Sequence, residues 1–370
     1  MVSLKSFVAL PLLASVASAA CSGHRRHHAK VAASISASAA ASTSTSSTGS
    51  SGVNANLVAK KQSTSTASAA SSTSTSSSSS SSIGWGLKGM TKNSIAFGWL
   101  PDDGSGGGTS QTIQQIESAM GQQTSTQGWY AQAQSGTLFD GNQLLWRMDQ
   151  IKTGGVFQPA VMPTGASLSL PSGWWGLTAS DNQQAVAICN VMKKFTDEGI
   201  EVWLRFAHEV NYYQEDGTYQ GDVSDFKAGW AAVSAACKQI APAVKMWYTP
   251  NIADESQYDE YYPDDPSTVD LIGIDFYPKE TSGYDFVSFM KPFHDKYTTP
   301  NGPYFAIGEI GNGVSTNMAQ RLAWLQNIMS TDTKSQMPQF IACSWFNYYK
   351  GYDFRIAAVE GDSVIKSYFA

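Results

Sequence analysis

From position 94 to position 349 the chain repeats one pattern: a short apolar run, ended by a polar or turn residue, and then a stretch with helical spacing. The runs are "SIAFGWLP" (94–101), "QGWYAQAQ" (127–134), "VFQPAVMP" (156–163) and "IEVWLRFAHE" (200–209). They continue with "VKMWYTPN" (244–251), "VDLIGIDFYP" (269–278), "YFAIGEIG" (304–311) and "QFIACSWFNYY" (339–349). Between them "NQQAVAICNVMKKFTDEG" (182–199), "FKAGWAAVSAACKQI" (226–240), "YDFVSFMKPFHDKY" (284–297) and "NMAQRLAWLQNIMS" (317–330) place apolar residues three and four apart, which reads as helix. Strands alternating with helices argue an α/β protein with a parallel sheet. Eight of them in under 300 residues argue a closed (β/α)8 TIM barrel.

The chain before that pattern is of two other kinds. Residues 1–20, "MVSLKSFVALPLLASVASAA", combine one lysine, an apolar centre and a small-residue ending, the layout of a secretory signal peptide. The apolar centre is too short for a bilayer, and no membrane span is expected. Residues 21–82 are dominated by Ser, Thr and Ala and carry no acidic residue. Such a segment buries too little apolar surface to offset its chain entropy, so a disordered linker is expected, with the Ser/Thr density suited to O-glycosylation. The basic clusters "HRRHHAK" (24–30) and "KK" (60–61) read either as processing sites or as a solvated basic tail. The catalytic-size domain is then 83–370, and the expected location is secreted, extracellular or wall-associated.

Charge narrows the partners. The first 82 residues hold six of the 24 basic residues and none of the 30 acidic ones, so 83–370 carries 18 against 30, a net charge of −12. That balance disfavours nucleic acid. All eleven tryptophans also fall in this part. Cys189 and Cys237 lie in successive helical stretches, where an oxidising compartment allows a bridge. Cys343 reads as a buried strand thiol and Cys21 as a loose terminal one.

In a barrel of this kind sites form at the C-terminal ends of the strands. The fourth run ends in His208-Glu209, the fifth in Asn251, the sixth in Asp275 and Tyr277, the seventh in Glu309, and the eighth passes Trp345 to Asn347. Two glutamates thus reach one mouth from strands four and seven. Paired carboxylates are the chemistry of glycoside hydrolysis, one acting as acid and the other as nucleophile. Either glutamate taken alone reads as a surface or ion-pair residue; it is the pair on those two strands that points to catalysis. "HEVNY" lacks the second histidine of a zincin helix, because position 212 is tyrosine, and "GSGGG" (104–108) lacks the lysine of a phosphate loop. Asp275, Asp102 and Asp103 read as structural or solvated.

The segments "RFAHEVN", "YYPDDPSTVDLIGIDFYP", "AIGEIG" and "CSWFN" resemble glycoside hydrolase family 26, retaining barrel enzymes that include endo-β-1,4-mannanases. The resemblance implies Glu209 as acid/base, Glu309 as nucleophile, His208 as orienting and sugar-contacting residue, Tyr277 as a donor to Glu309, and Trp345 as the floor under the reacting sugar. Arg205 and Asn251 are implied as supporting residues. Trp174 and Trp175, and Tyr212 and Tyr213, are expected to stack on sugar rings from loops. Packing is the competing role for Tyr277, Trp345, Trp174 and Trp175. The family's commoner "RPxHE" is "RFAHEVNYYQEDG" here. Beside mannan, xylan and mixed β-1,3/1,4-glucan therefore stay open as substrates. A non-catalytic polysaccharide-binding wall protein is the alternative of another class. A monomer acting on polysaccharide is expected, with no cofactor and no metal implied.

Overall fold

The computed structural model describes Trp85 and residues 87–134, 136–163, 174–278, 285–312 and 316–370. The signal peptide expected over 1–20 and the linker expected over 21–82 lie outside the described residues.

A two-residue strand, β1 (Thr91–Lys92), makes an antiparallel hairpin with β2 (Ile95–Pro101). From β2 onward the sheet is parallel and runs in sequence order through β3 (Thr126–Gln132), β4 (Val156–Met162), β5 (Trp203–Phe206), β6 (Lys245–Tyr248), β7 (Leu271–Ile272), β8 (Tyr304–Ile310) and β9 (Phe340–Asn347). The last strand pairs with β2, from Ala96 opposite Ala342 to Pro101 opposite Asn347, and closes an eight-stranded barrel. This is the (β/α)8 architecture expected from the alternation. Strand six has regular pairing over Leu271–Ile272 alone. Its continuation is carried by bridges from Asn251 to Asp275 and from Phe276 to Ile310. Gly273 sits in that stretch because the wall is tight there: a Cβ would fall 1.8 Å from the Ala306 carbonyl oxygen.

The interior is layered. At the bottom Trp203 and Trp247 meet edge to face, ringed by Ala96, Val156, Leu271, Ala306 and Ala342. Trp85 closes this end, its ring 4.9 Å from Tyr304 and 6.0 Å from Trp203. A polar layer follows. Ser344 Oγ donates to Gln158 Oε1 at 2.8 Å, and Gln158 Nε2 donates to the Gly308 carbonyl at 3.0 Å. Above that layer lie the strand ends.

The helical sheath follows local sequence. α1 (Ile113–Met120) starts at a Thr112–Gln115 capping box. Two short helices, α2 (Asn142–Leu145) and α3 (Met148–Ile151), lead to β4. α4 (Gln183–Asp197) buries Ala185, Ile188, Cys189, Met192 and Phe195 along one stripe. After β5 comes α5 (Val210–Glu215), a helix where sequence reads a loop. α6 (Val223–Ile240) begins with Asp222 and Asp225 capping each other. Cys189 and Cys237 are bridged, joining α4 to α6, and Cys343 is a buried free thiol. The sheath is completed by α7 (Glu255–Tyr261), α8 (Phe286–Tyr297), α9 (Met318–Ile328), α10 (Thr331–Gln336) and α11 (Ser363–Phe369).

Candidate active site

The fourth barrel strand ends abruptly. Beyond Phe206, both Ala207 (φ 52°) and Glu209 (φ 51°) take the left-handed conformation. Each such non-glycine residue costs on the order of 1 kcal/mol and needs a surround that enforces it. The surround is a pair of backbone bonds, Ala207 N–H to the Val161 carbonyl and Glu209 N–H to the Thr249 carbonyl at 2.7 Å. This turn makes Glu209 the N-cap residue of α5, and its side chain is 2 % exposed. Asn251 Nδ2 donates to Glu209 Oε1 at 2.7 Å. Asn251 is itself held by Asn211, whose Oδ1 accepts from the Asn251 N–H at 2.9 Å and whose Nδ2 donates to its carbonyl at 3.0 Å. The Tyr213 hydroxyl bonds Glu209 as well.

Glu309, from β8, reaches the same space from across the barrel. Arg205 NH1 donates to its Oε1 at 2.8 Å and the Tyr277 hydroxyl to its Oε2 at 2.7 Å. Arg205 also pairs with Asp275, and Asp275 Oδ1 accepts the Glu309 N–H at 3.0 Å. Arg205 lies wholly buried beneath the carboxylates. It fits there because residue 308 is glycine: a Cβ would sit 2.4 Å from the Arg205 Nε. His208 Nε2 lies 3.8 Å from Glu309 Oε1. Oxygens of Glu209, Asp275 and Glu309 all lie within 4.8 Å of one another.

Three acids share the space with one cation, which pairs with two of them. Arg205 bonds Asp275 and Glu309, while Glu209 has amide and phenol donors but no cation. Burial, and then the Glu309 charge, push the Glu209 carboxyl up to about 8. Burial would raise Glu309 too, but Arg205, His208 and the tyrosine hydroxyls outweigh it and bring that carboxyl down to about 2. Burial lowers His208 to about 3, so its ring is neutral at ordinary pH. At neutral pH the pair is therefore one protonated acid facing one carboxylate.

No protein-family model matches the chain, and no curated protein matches its sequence. Solved structures do match in shape. A mannanase of Bacillus subtilis superimposes with TM-score 0.52 at 17% identity, over 72% of this chain and 84% of that one. A modular endo-β-1,4-mannanase from Cellulomonas fimi gives 0.53 at 18% identity, over 75% and 70%. A family 26 β-mannanase from Bacteroides ovatus gives 0.52 at 15%, over 75% and 88%. The fold is that of the family 26 β-mannanases.

Within this family 26 fold the residues read from sequence divide into two groups. Glu209, Glu309, His208, Tyr277, Arg205, Asn251 and Tyr213 converge at one mouth. Tyr212 packs on Tyr213 from α5, with ring centroids 5.3 Å apart. Trp345 does not line the mouth. Ser344 bonds inside the barrel, so alternation turns Trp345 outward into the layer that holds Trp99, with Nε1 donating to the Phe354 carbonyl at 2.8 Å. Phe346, on this strand, and Tyr348, just beyond its end, are the mouth-facing aromatics here, clustered with Leu100 and Tyr277. Trp174 is 2 % exposed and edge-on to Phe206, Tyr219 and Phe226, with Nε1 donating to the Gln220 carbonyl at 2.5 Å. Its ring packs between sheath elements and leaves no face for a sugar. Trp175 is half-buried beside it.

Three residues join the site beyond those read from sequence. Asp275 is structural, as read, but its two contacts orient the site: it fixes Arg205 and the Glu309 backbone. The Tyr130 hydroxyl, from strand two, is directed at Glu309. Thr249 holds Glu209 through its carbonyl and accepts from Arg205 Nε at 3.3 Å. For Asp275 the signal was its place at the polar end of an apolar run. Tyr130 carried none, since it sits inside such a run.

Proposed function

We propose that this chain is a secreted, retaining glycoside hydrolase of family 26 that cleaves β-1,4-mannan or glucomannan internally by double displacement. The observation that carries the reading is the carboxylate pair. Oxygens of Glu209 and Glu309 approach within 4.8 Å, with one carboxyl raised to about 8 and the other lowered to about 2. Retaining glycosidases hold their two carboxyl groups about 5–5.5 Å apart, and inverting ones keep them about 6.5–9.5 Å apart to admit a water.

The chemistry follows from the protonation states. Glu309 Oε attacks the anomeric carbon as the bond to the leaving oxygen breaks, and the Glu209 proton passes to that oxygen. Glu209, now ionised, takes a proton from water, whose oxygen attacks the same carbon and frees Glu309. Arg205 and Tyr277 hold Glu309 ionised and aimed. Neutral His208 holds its Nδ1 buried beside the carboxylates without a protein partner. Likeness of fold to mannanases and the motifs of strands four, six and seven support mannan as substrate, and the leader-like residues 1–20 support export.

The test is incubation of the protein with mannan, glucomannan, xylan and barley β-glucan, following reducing ends and the anomer first released by NMR. Release from the mannans as the β-anomer, abolished by Glu309→Gln, is expected. Release of the α-anomer would remove the retaining mechanism. Tight retention on one glycan with no release from any would favour the binding-protein alternative.

A further inference from the structure

The strand-eight aromatics leave one polar atom unaccounted for. Tyr348 stacks on Phe346 with centroids 4.3 Å apart and planes 10° from parallel. Tyr348 is 1 % exposed, and its hydroxyl has no hydrogen-bond partner. An unpaired buried hydroxyl costs about 1–3 kcal/mol, and phenylalanine would fill the same space without that cost. A sugar hydroxyl brought to this atom would remove that cost.

Phe346 is 5.4 Å from Tyr277, which bonds Glu309, and Tyr348 meets Tyr130 edge-on at 6.3 Å. Tyr130 in turn lies 5.5 Å from His208, whose Nδ1 is also unpaired. The rings form an arc around Glu309, and three buried polar atoms without a protein partner lie along it: the Tyr130 and Tyr348 hydroxyls and His208 Nδ1. The partners of Glu209 itself, Asn251 and Tyr213, belong to strand five and α5. The nucleophile faces the sugar on the non-reducing side of the cleaved bond, and the acid faces the leaving side. Tyr348 stands on the nucleophile's flank. A pyranose offers C–H groups on its faces and hydroxyls at its edge, which suits a stacked pair carrying one phenolic donor.

We propose that Tyr348 is a substrate-binding residue whose hydroxyl bonds a ring hydroxyl of the sugar on the non-reducing side of the cleaved bond. This rests on the glycosidase reading above. The test is Tyr348→Phe in the full chain, with Tyr258→Phe as the comparison. The Tyr258 hydroxyl accepts from the Ala253 N–H at 2.7 Å and is bonded to neither glutamate, so that variant reports a structural tyrosine. Melting temperature, KM and kcat are measured for both. Calorimetric affinity for mannohexaose, or xylohexaose if xylan is the glycan cleaved, is measured in a Glu309→Gln background. Tyr348→Phe is expected to weaken affinity about tenfold, the worth of one lost hydrogen bond, with a melting temperature equal to or above the parent's. Tyr258→Phe should melt lower and bind normally. Unchanged affinity and KM in Tyr348→Phe, or behaviour matching Tyr258→Phe, overturns the proposal and leaves the glycosidase reading standing. A parent protein that neither cleaves nor binds any of the glycans overturns both.

Discussion

Glu209 is the acid without a cation, and that asymmetry sets the pH behaviour. The proposed mechanism requires Glu309 ionised and Glu209 protonated. kcat/KM should therefore rise through about 2, hold a plateau, and fall as pH passes about 8. In Glu209→Gln the alkaline fall should vanish. Glycan cleavage should drop about 10²–10⁴-fold, while aryl glycosides with good leaving groups keep their first step. A pH–rate profile of the two proteins checks this, and an unchanged alkaline limb in the variant would assign it to another group. Stability runs the opposite way. The fold raises this carboxyl, so the native state holds a proton that the unfolded chain releases above about 4.5; the stabilisation is full below that and is lost as pH climbs towards about 8. The melting temperature of Glu209→Gln should exceed the parent's by a margin that widens over that interval. Sequence made the convergence of the two glutamates legible because side chains meet at a barrel's mouth where apolar runs turn polar, and both stand there. It could not show that one arginine serves Asp275 and Glu309 and leaves Glu209 alone, because that depends on distances across the barrel.

Among elements, strand eight shows where sequence falls silent. "FIACSWFN" is buried at every position. A parallel strand covered on both faces has no apolar–polar alternation, so its phase is not readable from residues. The family resemblance implies Trp345 at the mouth, and pairing with β2 gives that place to Phe346, with Tyr348, just past the strand end, stacked on it. α5 is hidden for a different reason: six residues are too few for a helical period. The longer helices α4 and α6 are legible, and so is the possibility of their bridge. That bridge closes a 48-residue separation that contains β5, α5 and Glu209. Constraining a loop of that length in the unfolded chain is worth up to about 4 kcal/mol. Cys189→Ala with Cys237→Ala should lower the denaturation midpoint accordingly, and KM should hold where the protein stays folded, because neither cysteine touches the site. A midpoint equal to the parent's would show that packing alone holds α4 against α6.

At the scale of the whole molecule the barrel has two ends with different duties. The mouth carries desolvated acids, one of them on a left-handed backbone, and the bottom is an apolar plug. Trp203 and Trp247 fill it, and Trp85 lies across it with Lys245 5.2 Å from its ring. Trp85 is the outermost piece of that plug and comes directly after the Ser/Thr-rich stretch, so the boundary of the folding unit falls within a few residues. A chain beginning at residue 83 should melt with the full-length protein and cleave the same glycans. One beginning at residue 88 loses the indole that partly covers Trp203 and Tyr304, and should be destabilised by about 1–3 kcal/mol, because the ring is half-buried. Its KM should be unchanged, since the plug and the acids lie at opposite ends of the strands. Thermal melts and steady-state kinetics on the two truncations separate the cases. A loss of stability already at residue 83 would mean that the Ser/Thr-rich stretch contributes to the barrel, and equal stability at residue 88 would mean that Trp203 and Trp247 close the bottom without Trp85.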